Sequence, residues 1–68
     1  MNDYDAGFAA GVREANYREA YDNAGPDDVA VWFTAPASVN NRAVLDYERG
    51  FVDGWADHFE DADAGAQA

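Results

Sequence analysis

One aromatic–glycine motif occurs twice in this chain of 68 residues, and it constrains the fold more than any other feature. The segment Tyr4-x-x-Gly7-Phe8-x-x-Gly11 recurs as Tyr47-x-x-Gly50-Phe51-x-x-Gly54. Each copy lies in a segment with helical periodicity, where a glycine costs about 1 kcal/mol relative to alanine. Such glycines need a compensating interaction, and the simplest is close approach of another backbone. The repeat therefore predicts two long helices that cross at their glycines, or one glycine pair, Gly50 and Gly54, that forms a flat strip for a partner.

The two long helices are predicted over residues 3–22 and 40–61. The first has Asn2 or Asp3 as an N-cap and ends at the stop signal of residues 23–26, Asn-Ala-Gly-Pro. The second follows Ser38 or Asn40, and its apolar side chains repeat at helical spacing along one face. Residues 26–36 between them fit either a short helix or an extended segment, and we favour the helix because a lone strand has no partner in this chain.

These elements predict an all-α fold. We expect a small helical hairpin of two long antiparallel helices, with a short middle helix or extended segment between them. A single domain is expected over residues 1–62, and residues 63–68, which carry no large apolar side chain, are expected to form a disordered acidic tail.

Charge excludes several classes of function. Fourteen acidic residues and four arginines give a net charge of −10, so cationic contacts to phosphates are scarce and direct nucleic-acid binding is disfavoured. The absence of cysteine excludes disulfides and thiol catalysis. No targeting segment or apolar stretch of about 18 residues is visible, so we expect a cytoplasmic protein, in the host cytoplasm if it is encoded by a phage, with no membrane contact.

Catalytic patterns are also weak. Thr34 and Ser38 are the only hydroxyl side chains besides tyrosine, and the single histidine, His58, has no thiol to activate. Asp57 and His58 with a neighbouring aspartate resemble a weak divalent-metal site, but a histidine at the edge of an apolar face is more often structural. We therefore expect no enzyme activity, no metal site and no cofactor.

The repeat resembles a known family. Gly7-Phe8-Ala9-Ala10-Gly11-Val12 is similar to a segment in the first helix of ribosome modulation factor, and Phe51-Val52-Asp53-Gly54-Trp55 is similar to a segment of its second helix. The resemblance covers about a third of the chain. It implies a small helical hairpin and association with ribosomal RNA in an inactive ribosome.

Acidic and aromatic side chains indicate a partner-binding role. Six carboxylates are distributed along about 24 Å of the second helix, which is roughly one carboxylate per 4 Å. A DNA strand carries about one phosphate per 3.4 Å. The chain also has more aromatic residues than so small a core buries easily, and exposed aromatics are typical of interface hot spots. The predicted partner-binding residues are Asp46, Asp53, Asp57, Glu60, Tyr17, Tyr21, Trp32 and Phe33.

In size and charge the chain resembles the acidic DNA-mimic inhibitors of phages, of the anti-CRISPR or anti-restriction type. The leading hypothesis is a non-enzymatic inhibitor that binds the basic nucleic-acid-binding groove of a host nuclease or CRISPR surveillance complex and blocks its substrate. The alternatives are a ribosome-associated protein of the modulation-factor type and a small acidic adaptor of a halophile. A homodimer that buries the surplus aromatics is also compatible with the sequence.

Overall fold

The structure is a computed structural model that describes residues 2–37 and 39–67, with side chains described up to residue 60. Helix α1 spans Asp3–Asp22, a short 3-10 turn spans Pro26–Asp28, helix α2 spans Val29–Trp32 and helix α3 spans Val44–Gln67. No strand occurs in these described ranges. The predicted all-α class with two long helices is confirmed.

Polar caps fix the ends of α1 where the sequence predicts them. The Asn2 side-chain oxygen accepts a hydrogen bond from the Asp5 amide at 2.8 Å. At the other end Asn23 has φ 57°, a left-handed conformation that asparagine adopts more readily than most residues. The Ala24 amide donates to the Arg18 carbonyl at 3.1 Å, which closes the last turn.

The connection between α1 and α3 is helical at its centre. Pro26 occupies the first position of the 3-10 turn, and the Asp28 carboxylate accepts a hydrogen bond from the Gly25 amide at 2.7 Å. The chain continues directly into α2, so the short helix is confirmed over the extended alternative. Further on, the Asn40 side chain accepts bonds from the amides of Arg42 and Ala43, and α3 begins after this turn.

Helix α3 continues past its predicted end. It reaches Gln67, whereas the sequence predicted a disordered tail over residues 63–68. Alanine, the strongest helix former, recurs through this segment and no proline interrupts it, so the backbone can continue the helix. The helix is thus longer than predicted, the domain boundary at residue 62 stays a prediction, and residue 68 lies outside the described part of the chain.

Glycines bring the backbones of α1 and α3 into direct contact. A Cβ added to Gly7 would overlap the carbonyl oxygen of Tyr47, and a Cβ added to Gly50 would overlap that of Tyr4. The second glycine of each repeat makes the equivalent approach, Gly11 to the Phe51 carbonyl and Gly54 to the Phe8 carbonyl. The predicted crossing at all four glycines is confirmed.

The same contacts show that α1 and α3 are parallel. From Gly7 to Gly11 along α1, the contacted carbonyl on α3 moves from Tyr47 to Phe51, which is also toward the C-terminus. The predicted antiparallel direction is therefore wrong. Glycines one turn apart form a flat strip that accepts a neighbouring helix in either direction, so their spacing does not encode helix direction.

A parallel pair requires the connection to return along the helices. The Trp55 indole donates a hydrogen bond to the Gly25 carbonyl at 3.1 Å, which places the start of the connection beside the middle of α3. Farther along the connection, Phe33 packs edge-on against Phe51 with ring centroids 5.2 Å apart. The connection thus runs back toward the start of α3 and covers one of its flanks.

The core lies under this connection. Trp55 is fully buried between Phe51 and Phe59, with ring centroids 6.2 and 5.9 Å away. The buried cluster comprises Ala10, Ala15, Ala24, Tyr47, Phe51, Trp55 and Phe59. Small residues of α1 thus face large aromatics of α3, which lets the helices approach closely and still fills the interior.

Substitution of a contact glycine by alanine should destabilise the fold. Gly7→Ala and Gly50→Ala each place a methyl group against a partner carbonyl, so we expect the free energy of unfolding to fall by about 1–3 kcal/mol despite alanine's better helix propensity. Gly25→Ala is the matched control, because its nearest neighbour would be 3.8 Å away. Urea unfolding measures all three, and equal stability of the contact and control variants would contradict the glycine contact.

The parallel direction can be tested with a single spin label, because the chain contains no cysteine. A nitroxide at Ala20→Cys, an exposed site near the end of α1, should broaden the amide signals of residues 56–60. The two copies of the repeat are 43 residues apart, so Ala20 of α1 is level with about residue 63 of α3. Leu45 lies 18 residues before that position, or about 27 Å along the axis at 1.5 Å per residue, and its signal should stay sharp. Broadening of Leu45 instead would indicate antiparallel helices.

Candidate interaction surfaces

Four predicted partner-binding carboxylates form one stripe along α3. At 100° per residue they fall within a sector of about 60°. Gly50 and Gly54 face α1, Phe51 and Trp55 lie on the flank covered by the connection, and the carboxylates lie on the other flank. This acidic stripe consists of Asp46, Asp53, Asp57 and Glu60, of which Asp57 is half-buried and the others are exposed.

The stripe is less dense than the sequence estimate. Asp46 and Glu60 are 14 residues apart, about 21 Å, which gives one carboxylate per roughly 7 Å. Helical periodicity places Glu48 on the opposite flank, where it is half-buried, and the side chain of Asp61 lies outside the described residues. The six carboxylates counted from the sequence therefore do not form one continuous row.

No described cation neutralises the stripe. The ion pairs among the described side chains join Arg18 to Glu14 and Asp22, and His58, which is charged only when protonated, contacts Glu19. None of these involves a stripe carboxylate. Exposed Arg49 lies about one helical turn from Asp46 and Asp53 without pairing to either, and with a net charge of −10 on the chain the stripe presents net negative charge along an open flank.

One stripe residue is tied to α1. The Tyr4 hydroxyl donates a hydrogen bond to an Asp53 carboxylate oxygen at 2.5 Å. This bond, reinforced by partial loss of hydration and by the charges of Asp53 and Asp5, raises the pKa of Tyr4 above its ordinary value. The bond fixes the Asp53 carboxylate relative to the first turn of α1, so that part of the stripe is held in place.

Two exposed tyrosines and a half-buried tryptophan form a second surface, which we call the aromatic patch: Tyr17, Tyr21 and Trp32 around Arg18. The two tyrosine rings are 4.8 Å apart, and their residues are 51% and 75% exposed. The Arg18 guanidinium carbon lies 4.0 Å from the Trp32 ring centroid and 5.1 Å from that of Tyr17. Arginine thus joins a residue of α2 to the aromatic side chains of α1 by cation–π contacts.

Carboxylates hold Arg18 in this position. Its guanidinium donates to Glu14 at 2.6 Å and to Asp22 at 2.9 Å, one turn away on each side. These two hydrogen bonds, Glu14 first, raise the pKa of Arg18 further above its ordinary value. Arg18 was not among the residues predicted from the sequence, although the spacing Glu14-x-x-x-Arg18-x-x-x-Asp22 is a recognisable ion-pair pattern on a helix.

The eight predicted residues do not share one surface. The stripe and the aromatic patch lie on opposite flanks of the α1–α3 contact, because Trp32 belongs to the connection and the stripe faces away from it. Phe33 belongs to neither surface, since it packs against the core with ring centroids 5.2 Å from Phe51 and 6.3 Å from Tyr47. Its predicted role in partner binding stays a prediction.

The single histidine joins the C-terminal halves of the long helices. His58 Nε2 lies 2.9 Å from a Glu19 carboxylate oxygen, and its ring packs edge-on against Phe59. The described residues contain no group of three or more side chains placed to hold a metal ion. None of the described helices combines the length and the hydropathy of a membrane span.

Comparisons of the chain with protein-family models, curated proteins and solved structures found no match. The functional interpretation therefore depends on the two surfaces themselves.

The Tyr4–Asp53 bond predicts a pH dependence. Because the pKa of Tyr4 is raised in the fold, the bond stabilises the fold below the ordinary tyrosine pKa of about 10, and this contribution is lost as pH rises through the higher folded value. Asp53→Asn should lower the pKa of Tyr4, measured from its ring signals by NMR. Asp57→Asn is the control, and identical Tyr4 titrations in the two variants would exclude the bond.

Proposed function

We propose that this chain is a non-enzymatic inhibitor whose acidic stripe binds the basic nucleic-acid-binding groove of another protein and blocks access of its substrate. The observation that carries the proposal is the row of Asp46, Asp53, Asp57 and Glu60, none of them in a described ion pair, on the flank of α3 that the connection leaves open. A groove that binds phosphates offers arginines and lysines, which such carboxylates complement.

Rigidity supports this use of the stripe. The opposite side of α3 packs on α1 at the glycines and on the connection through Phe51 and Trp55, so the helix that carries the carboxylates is braced. A braced helix loses little conformational entropy on binding. Complementary charge also accelerates association above the neutral range of about 10⁵–10⁶ M⁻¹s⁻¹.

The finer proposal is that the partner is a host nuclease or a CRISPR surveillance complex. Its support is the size of the chain, its charge of −10 and its class-level similarity to acidic phage inhibitors. A spacing of about 7 Å between stripe carboxylates is wider than the phosphate rise of about 3.4 Å on one DNA strand. The stripe would therefore replace only some of the phosphates that the groove contacts.

Ribosome association is the second candidate function, and the repeated aromatic–glycine motif favours it. The motif builds the contact between α1 and α3, so its residues are used by the fold and are not free for RNA. Four arginines against fourteen carboxylates also leave little capacity for phosphate contacts. We therefore place this candidate second.

Neutralisation of the stripe should abolish inhibition and leave the fold intact. The quadruple variant Asp46→Asn, Asp53→Asn, Asp57→Asn and Glu60→Gln removes four charges at nearly constant size. Its melting temperature should stay within a few degrees of the parent, because lost self-repulsion offsets the lost Tyr4 bond. Capture of a basic nucleic-acid-binding protein from host lysate at about 0.15 M salt, and competition with that protein's nucleic acid, should both be lost.

A matched pair of double variants tests whether binding depends on the position of the carboxylates in the stripe or only on the total charge of the chain. Asp46→Asn with Asp57→Asn removes two stripe charges, whereas Asp3→Asn with Asp27→Asn removes two exposed charges elsewhere. Only the first should weaken capture strongly. Full inhibition by the quadruple variant would mean that the stripe carboxylates do not bind the partner and only hydrate the surface, as in a halophile adaptor. Sedimentation of the parent with ribosomes would favour the second candidate.

A further inference from the structure

A polar cavity lies between α1 and the connection, on the flank opposite the acidic stripe. Its volume is about 260 Å³. Its lining includes two core rings of α3, Tyr47 and Phe51, and Trp32 of α2. Two arginines of α1, Arg13 and Arg18, also line it. Two of the four cations of the chain thus border one cavity in a protein of net charge −10.

The wall of this cavity carries donors that the fold does not use. Among the described residues, Arg13 makes no ion pair, and no hydrogen bond engages the side chains of Thr34 or Tyr47. No described side-chain atom is both buried and unsatisfied, so these polar groups remain accessible. An incoming acceptor could therefore bind them without breaking an existing bond.

The two arginines have different roles at the cavity. Arg18 is neutralised by Glu14 and Asp22, and its stacking on Trp32 at 4.0 Å holds the indole that forms one wall. Arg13 is exposed and makes no ion pair with a described side chain. The cavity therefore has a fixed aromatic wall and one available cation.

We propose that this cavity is a binding site for a single aromatic group that carries a carboxylate. The flat group would lie against the partly exposed Trp32 ring, with only the small exposed parts of Tyr47 and Phe51 within reach, and the carboxylate would accept hydrogen bonds from the Arg13 guanidinium and the Thr34 hydroxyl. The volume suits one such group, because cavities for drug-sized ligands begin at about 300 Å³. A free aromatic acid and the C-terminal residue of a peptide share this chemistry.

The negative charge of the chain does not prevent binding of an anion here. The acidic stripe lies on the other side of the α1–α3 pair, and exposed charges are screened beyond about 8 Å at physiological salt. Arg13 and Arg18 are balanced by Glu14 and Asp22, so the local charge is close to zero and the carboxylate would be recognised by Arg13 itself. The site is independent of the proposed function of the stripe.

The test uses the full chain and the probe N-acetyl-phenylalanine, followed by NMR. The Trp32 indole signal and the amides of α1 around Arg13 should shift with saturation, with a dissociation constant in the millimolar range. The uncharged N-acetyl-phenylalaninamide should bind about fivefold or more weakly, because it lacks the carboxylate that Arg13 recognises. Equal binding of acid and amide, or no shift at Trp32, would overturn the proposal.

Two arginine variants make the test specific. Arg13→Gln should weaken acid binding about fivefold and leave amide binding and the melting temperature unchanged. Arg49→Gln removes the same charge from an exposed site outside the cavity and should change neither affinity. Equal losses of affinity in both variants would mean that only net charge matters and would overturn the proposed binding site.

A short peptide ending in phenylalanine distinguishes the two ligand sources. Tighter binding of the peptide than of the free acid indicates a chain terminus as the ligand, and weaker binding indicates a free aromatic acid.

Discussion

Direct backbone contact between α1 and α3 at Gly7, Gly11, Gly50 and Gly54 sets the position of every other element. Because a Cβ at each of these sites would overlap a carbonyl oxygen of the partner helix, the glycine hydrogen in that direction faces the carbonyl. Such Cα–H···O contacts contribute about 0.5–1 kcal/mol each and accompany close van der Waals packing. Together they compensate the poor helix propensity of glycine. The two halves of the repeat make equivalent contacts, so the chain contains a pair of helices related by an internal approximate two-fold axis.

Parallel helices impose the rest of the architecture. After α1 the chain must return to the start of α3, and residues 23–43 do so along one flank, where Trp55 bonds to Gly25 and Phe33 packs on Phe51. One flank of the pair is therefore covered by aromatic side chains, and the other remains open. The acidic stripe occupies the open flank, whereas the aromatic patch and the polar cavity lie with the connection.

Charge is distributed according to this division. Arg18 is used within the fold, where Glu14 and Asp22 hold it and Trp32 stacks on it. Arg13 borders the cavity on the same flank. On the open flank the stripe keeps its charge, apart from the hydrogen bond that Asp53 accepts from Tyr4. A chain with few cations thus places its acidic stripe and the cavity bordered by two of its arginines on opposite sides of one helix pair.

The amino-acid sequence by itself determined the helices, the glycine contact and the stripe, because caps such as Asn2, the glycine repeat and the spacing of Asp46, Asp53 and Asp57 act through local helical periodicity. Tertiary structure alone decided the parallel direction, since a glycine strip accepts either direction and the choice depends on how Phe33 and Trp55 pack the connection. It also decided that Phe33 belongs to the core and that Arg18 joins Tyr17 to Trp32. These outcomes depend on contacts between residues distant in the chain, which periodicity does not encode.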